Sequence, residues 1–259
     1  MEEQVNNKRA LVTGFSSGIG FSYAKYLSER GWHLDLIAQS EDRSNKALQL
    51  LNKQNCSVHV LDLSKQSSIN HIIENLQTPD LIVANAGIAI NGAIGKNTNE
   101  DIHNANYLMF EGVVALIENF IPKMKIQQSG RIVIISSIGA LVPMPKSSIY
   151  SAIKAGIYAY GKSIGEELKN DNISITVSLP GYVKTNIHKR SGLGHLERQI
   201  PSWMWVSPEQ VVKETEAASL KGKTKIIPGK LYRFISPFLN LKITQMLWNI
   251  INTRRQLET

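Results

Sequence analysis

The sequence predicts an α/β fold: a doubly wound, seven-stranded parallel sheet with helices on both faces. Apolar runs of strand length alternate with stretches of helix length from about residue 9 to about residue 229. Those runs are apolar nearly throughout and lack the in/out alternation of a sheet with one wet face, which is the pattern of parallel strands covered on both sides. A glycine cluster at the end of the first strand opens the first helix, as such folds commonly begin.

In chain order, RALVTG (9–14) is a β-rich run that stops on a glycine, and GIGFSYAKYLSERG (18–31) comes next with helical spacing and a closing Gly31. The runs HLDLIA (33–38), SVHVLDL (57–63), DLIVANAG (80–87), GRIVIISS (130–137) and ISITVSLPG (173–181) supply five more strands. Helix-length segments lie between them at about 41–53, 65–76, 100–127 and 148–170. A further helix starts at Ser207 as cap, with Pro208 at its first position. TKIIPG (224–229) gives the seventh strand, and FISPFLNLKITQMLWNIINTRR (234–255) reads as an extra helix, apolar and basic-ended.

Bulk composition narrows the setting. The chain has 259 residues, 42% hydrophobic and 19% charged, which is ordinary globular usage. No internal repeat or low-complexity linker interrupts it, so residues 1–259 are expected to form one domain. Cys56 is the only cysteine, which excludes an intramolecular disulfide. MEEQVNNKRALVTG lacks an apolar stretch behind a basic start, and no run approaches about 18 apolar residues, so a cytoplasmic setting is expected.

A formal net charge of +8 suits an anionic partner: a dinucleotide, a membrane surface or a nucleic acid. The excess is concentrated in Lys221, Lys223, Lys225, Lys230, Arg233, Lys242, Arg254 and Arg255, with no acid until Glu258. No nucleic-acid-binding module accompanies it, so no nucleic-acid partner is expected.

TGFSSGIG (13–20) carries the first chemistry. Gly14, Gly18 and Gly20 permit a tight turn and let backbone N–H groups reach a pyrophosphate at the helix N-terminus, with Ser16, Ser17 and Ile19 between them. Taken alone, the cluster also reads as a βα turn without a ligand. The second strand runs out as LIAQSEDR, where Ala38 and Gln39 offer neither an acid for a ribose 2′-hydroxyl nor a base for a 2′-phosphate. Without an acid to exclude the phosphate, NADP(H) is favoured and NAD(H) stays open. No metal site is expected.

YSAIK (150–154) places Tyr150 and Lys154 about 6 Å apart along a helix and on one face. In isolation this is equally a half-buried tyrosine with a snorkelling lysine.

Together TGFSSGIG (13–20), LDL (61–63), NAG (85–87), IISS (134–137), YSAIK (150–154) and PGYVKT (180–185) stand in one order. The chain thereby resembles the classical short-chain dehydrogenase/reductase family over roughly residues 8–190. The resemblance implies a Rossmann-type fold and a nicotinamide-dependent oxidoreductase acting on CH–OH or C=O groups. It implies that Tyr150 is the catalytic tyrosine, Lys154 its lysine, and Ser137 the serine. Asp62 and Leu63 match positions beside the adenine. Asn85, Ala86 and Gly87 match the stretch that supports the adenosine ribose and the central strand, and Pro180, Gly181, Val183 and Thr185 match the loop at the nicotinamide end.

The chemistry agrees with those roles. A free tyrosine has a pKa near 10, and a nearby ammonium is expected to lower it so that the hydroxyl gives or takes a proton during hydride transfer. Ser137, at a strand end, is suited to hydrogen-bond the developing oxyanion, though a local strand-end bond is the plainer reading of a lone serine.

One position departs from the family pattern. An asparagine is expected three residues before Gly112 as part of a proton relay, and Met109 stands there. A thioether donates no hydrogen bond. Either the relay is altered and Asn106, one turn earlier, simply faces solvent, or an insertion or π-bulge in NYLMFEG brings Asn106 round to take over the role.

Residues 186–207 fall at the family's variable substrate loop, where Trp203, Met204 and Trp205 line an apolar pocket or pack beneath a lid. An apolar ketone or secondary alcohol is the expected substrate. The C-terminal helix is expected to pack as an ordinary terminal helix, with covering a subunit partner, closing the site or lying on an anionic membrane as alternatives. A homodimer or homotetramer is expected from the resemblance. The competing function is a cofactor-binding sensor without turnover.

Overall fold

The computed structural model describes residues 8–90, 92, 94–185 and 200–238. Seven strands form one sheet: β1 (Arg9–Thr13), β2 (His33–Ala38), β3 (Cys56–Val60), β4 (Leu81–Ala84), β5 (Gly130–Ile135), β6 (Ile173–Ser178) and β7 (Lys225–Ile226). They lie in the order β3-β2-β1-β4-β5-β6-β7, and every pairing is parallel. The helices are α1 (Gly18–Ser28), α2 (Glu41–Leu48), α3 (Gln66–Asn75), α4 (Asn99–Asn106), α5 (Gly112–Gln127), α6 (Ser148–Glu167), α7 (Pro208–Ser219) and α8 (Lys230–Ile235).

The absence of polar alternation in the strands has its cause in the two cores. Leu11, Ile82, Ile132 and Ile134 face one cluster, filled by Ile69 and Ile72 of α3, Leu116 and Phe120 of α5, and Ile157 of α6. Their strand neighbours Val12, Leu81, Val83 and Val133 face the other, filled by Tyr23 and Leu27 of α1 and Val212 of α7. Successive strand residues point to opposite faces, so a sheet buried on both sides needs apolar residues at every position. Each fully buried aliphatic or aromatic side chain contributes about 1.5–3 kcal/mol.

Local signals end and start these elements as the residues require. Gly31 takes φ 75 and turns the chain after α1 into β2. Ser207 accepts from the Gln210 N–H at 3.1 Å and caps α7, with Pro208 at its start. Thr98 and Asp101 form a capping box at α4.

The C-terminal expectation needs correction. Within the described residues no helix begins at 234: α8 ends at Ile235 and gives way to a 3₁₀ turn at Ser236–Phe238. Pro237 lacks the N–H that would continue an α-helix. Residues 239–255 lie outside the described residues, as do 186–199 of the variable loop. No helix among the described residues is long and apolar enough to cross a membrane.

Strand order reverses between β1 and β4, each of which starts a run of strands toward one edge. The crevice outside the carboxyl ends of the strands at such a reversal is where ligands bind in open parallel sheets.

Candidate active site

The glycine turn sits at that reversal and is tied to both strands. Gly14 has φ 71 and donates to the Ile37 carbonyl at 2.8 Å. A Cβ there would stand 2.9 Å from the Ala86 Cα, and one on Gly20 would strike the Gly14 carbonyl oxygen and the Asn85 amide. Asn85 Nδ2 donates to the Thr13 carbonyl at 2.9 Å, while the N–H groups of Asn85 and Ala86 donate to Thr13 Oγ1 at 2.9 and 3.0 Å. Asn85 thus spends its amide on the turn itself. Ser17 holds the N-cap position of α1 in extended conformation without capping the helix through its side chain. Ser16, Ser17, Gly18 and Ile19 are half-buried around that helix start, a backbone geometry that suits a phosphate. Thr185 closes over the turn, its Cγ2 3.0 Å from where a Gly18 Cβ would lie.

Gln39 is exposed at the end of β2, and its side chain hydrogen-bonds Asp62. Burial works to raise the Asp62 carboxyl, but hydrogen bonds from the Ser64 N–H at 3.0 Å and hydroxyl at 2.8 Å outweigh it, so the group sits below the usual aspartate range. Leu63 is buried beside it.

Ser137, Tyr150 and Lys154 come together at the end of β5. Ser137 lies just past the strand and accepts from the Gly139 N–H at 3.0 Å, so it makes the local strand-end bond as well as a hydrogen bond with Tyr150. Ser151 Oγ donates to the Gly139 carbonyl at 2.7 Å and pins the start of α6 to the turn after Ser137. Lys154 is buried and donates from Nζ to the Ile135 carbonyl at 2.9 Å; its own carbonyl accepts from Ser136 Oγ at 2.8 Å.

The expected effect of the lysine on the tyrosine is corrected here. Tyr150 titrates above, not below, the ordinary tyrosine value, because burial of the phenol outweighs the hydrogen bond from Ser137 that acts to lower it. The Lys154 ammonium is turned to the strand-end carbonyl and lies 5.8 Å from the Tyr150 ring centroid. Burial pushes that ammonium down to about 8.

The loop after β6 completes the rim. Ile138 N–H donates to the Pro180 carbonyl at 2.9 Å, Val183 bridges Val206, and a Cβ on Gly181 would enter the Tyr232 ring. The Tyr232 hydroxyl donates to the Met204 carbonyl at 2.7 Å and accepts from the Tyr182 N–H at 3.1 Å. Burial raises that phenol to about 12. Trp203 is exposed, Trp205 packs on Tyr182 with ring centroids 5.8 Å apart, and with Met204 they line a cavity bordered by Lys230 and Leu231. The lining of that cavity includes none of Ser137, Tyr150 and Lys154.

The π-bulge anticipated in NYLMFEG exists: Tyr107–Glu111 is a π-helical turn between α4 and α5. It buries Tyr107 and Met109, the latter in a cluster with Ile90, Ala105 and Ile153 against which Tyr150 packs. Asn106 ends α4, half-buried, and none of the described hydrogen bonds joins it to Ser137, Tyr150 or Lys154. Sequence reasoning missed Thr13, Ser151 and Tyr232. The first two carried a signal, adjacency to Gly14 and Tyr150; Tyr232 lies 50 residues from its partner Tyr182 and carried none.

Comparison with known proteins points to one family. A family model described as short chain dehydrogenase matches residues 8–194. A fatty acyl-CoA reductase of Acinetobacter baylyi is 30% identical over 201 residues, covering 72% of this chain and 68% of that protein. A 3-oxoacyl-(acyl-carrier-protein) reductase of Chlamydia trachomatis is 31% identical over 190 residues, covering 71% and 77%. Among solved structures, a short-chain dehydrogenase from Sphingobium yanoikuyae in complex with NADPH aligns with a TM-score of 0.79 at 23% identity, over 96% of this chain and 94% of that one. A 4-hydroxyisoleucine dehydrogenase complexed with NADH aligns at 0.77 and 20%, over 86% and 97%. A parallel sheet with its glycine turn at the strand reversal, and a family match running from β1 past the loop after β6, lead to one assignment: the chain belongs to the short-chain dehydrogenase family of NAD(P)-dependent oxidoreductases.

Proposed function

We propose that this chain transfers hydride between NADP(H) and an apolar ketone or secondary alcohol, with Tyr150 moving the proton. The observation that carries the reading is the meeting of Tyr150, Ser137 and Lys154 at the end of β5, next to the glycine turn at the strand reversal. Bound nicotinamide supplies the hydride. Ser137 then hydrogen-bonds the carbonyl oxygen, and Tyr150, held protonated by its burial, delivers a proton to that oxygen as charge builds on it. Lys154 uses one donor on the Ile135 carbonyl, and an ammonium has three. The others serve the cofactor ribose and steady the phenolate that forms. Gly14, Ser16, Ser17, Gly18, Ile19 and Gly20 hold the pyrophosphate, Asp62 and Leu63 the adenine, and Pro180, Gly181, Val183 and Thr185 the nicotinamide end. Asn106 is left outside this set.

NADP(H) is preferred because no acid stands at Ala38 or Gln39 and because Gln39 carries an amide able to donate to a 2′-phosphate. An apolar carbonyl fits the acyl-group reactions in the names of the two relatives. The enzyme works as one domain in a homodimer or homotetramer.

Replacing Tyr150 with Phe tests the reading. The variant keeps NADPH binding and loses turnover by at least about 100-fold on a panel of ketones and aldehydes. A wild type that binds NADPH yet reduces nothing on a broad panel would instead favour a cofactor sensor.

A further inference from the structure

The π turn touches α6, the helix of Tyr150 and Lys154, at two points. Met109 shares a buried cluster with Ile153, against which Tyr150 packs, and Phe110 lies 3.3 Å from where a Cβ on Gly156 would be. An extra residue in the turn rotates the downstream helix by about 100° relative to an uninterrupted α-helix. Gly112 closes it by donating to the Tyr107 carbonyl. A Cβ on Gly112 would stand 2.9 Å from that carbonyl oxygen, so the turn depends on glycine there.

Met109 is 2% exposed. Its sulfur lies 3.4 Å from where a Cβ on Gly87 would be, so the absence of a side chain at Gly87 leaves the space that the thioether fills. Ile90, Ala105 and Ile153 complete an apolar cluster with Leu108, Phe110 and Ile149 at its edge. The flank of Tyr150 that meets this cluster therefore lies on an apolar surface to which Met109 belongs, while its hydroxyl reaches Ser137.

We propose that Met109 is a positioning residue for Tyr150: the π turn carries its thioether against the phenol, closes that flank to water and confines proton exchange of the hydroxyl to the substrate mouth. A thioether is a weak acceptor and no donor, so it excludes water without offering a path to it. The burial that holds Tyr150 protonated is consistent with such a wall. The inference rests on Tyr150 being the proton-transfer residue.

The test reads Tyr150 ionisation directly, using protein labelled with ¹³C at tyrosine Cζ and a Tyr150→Phe spectrum to assign the signal. Met109→Gln keeps the length of the side chain and adds an amide; its Tyr150 titrates lower than wild type by about one pH unit. Met109→Leu keeps an apolar wall and titrates with the wild type. Met109→Ala admits water and shifts the same way as Gln, which covers a Gln variant that fails to fold. Equal midpoints in wild type and in whichever polar or truncated variant folds, with only the melting temperature lowered, would make Met109 ordinary packing and overturn the proposal. No substrate enters the titration, so it reads the role of Met109 even in a protein that reduces no carbonyl.

Discussion

At the scale of single residues, the site combines a phenol that resists ionisation with an ammonium that gives up its proton early. Both follow from burial, which disfavours the charged form of either group. Lys154 makes this measurable as stability. Below about 8 both the folded and the unfolded lysine carry the proton, and the cost of burying the charge is present in full. Between about 8 and 10.5 the folded protein has released the proton while the unfolded chain retains it. The unfolded state then binds more protons, so this residue makes stability rise with pH across that window. Urea unfolding of wild type and Lys154→Met at the two ends of the window checks the sign: the wild type gains on the variant as pH increases. Identical pH slopes would show that Lys154 is not buried as a charge. Tyr150 and Lys154 were legible in the sequence as a spaced pair, and their mutual geometry was not. Which way the ammonium turns depends on the Ile135 carbonyl, 19 residues away and on another element.

At the scale of elements, sequence periodicity placed each strand but overran most of them. SVHVLDL continues as far as Leu63, whereas β3 ends at Val60. The surplus residues, Asp62 among them, belong to the loops outside the strand ends, where Leu61, Leu63, Ala86 and Leu179 still pack on the cores and prolong the apolar pattern. The helix expected at 100–127 is in fact three pieces, α4, the π turn and α5. The need for a bulge showed only as a residue out of place, Met109 where an amide was expected. Gly112 is the position that fixes the outcome. A methyl group there meets a carbonyl oxygen at 2.9 Å and the Tyr107 ring at 3.1 Å, and backbone cannot retreat as a flexible side chain would. Gly112→Ala is expected to cost about 1–3 kcal/mol, read as a lower midpoint in denaturant. An unchanged midpoint would mean that the π turn relaxes freely to an α-helix.

At the scale of the whole molecule, the two halves of the sheet meet at the site. β1 to β3 provide the glycine turn with Gln39 and Asp62, while β4 to β6 provide Asn85, Ser137 and the loop after Ser178. The second half is braced by a half-buried ion pair: Arg131 of β5 reaches Glu216 of α7 at 3.2 Å and Ser219 at the same distance. A ligand bound across the halves stabilises the folded state by mass action. NADPH at about 100 times its dissociation constant is expected to add about 2.7 kcal/mol, and NADH at equal concentration less. Thermal melts with each cofactor decide it; a larger shift with NADH would reverse the preference assigned to Gln39. The fold class and the order of motifs were legible along the chain. The bracing was not, because Arg131 and Glu216 are 85 residues apart and neither belongs to a motif. The stitching of the glycine turn also bears on the order of folding events. Thr13 and Asn85 are 72 residues apart, and until β4 docks beside β1 the turn has no Asn85 amide to hold it. Closing so long a loop is slow. The chain is therefore expected to hold a nucleotide only once the centre of the sheet has closed, so cofactor capture during refolding reports that event.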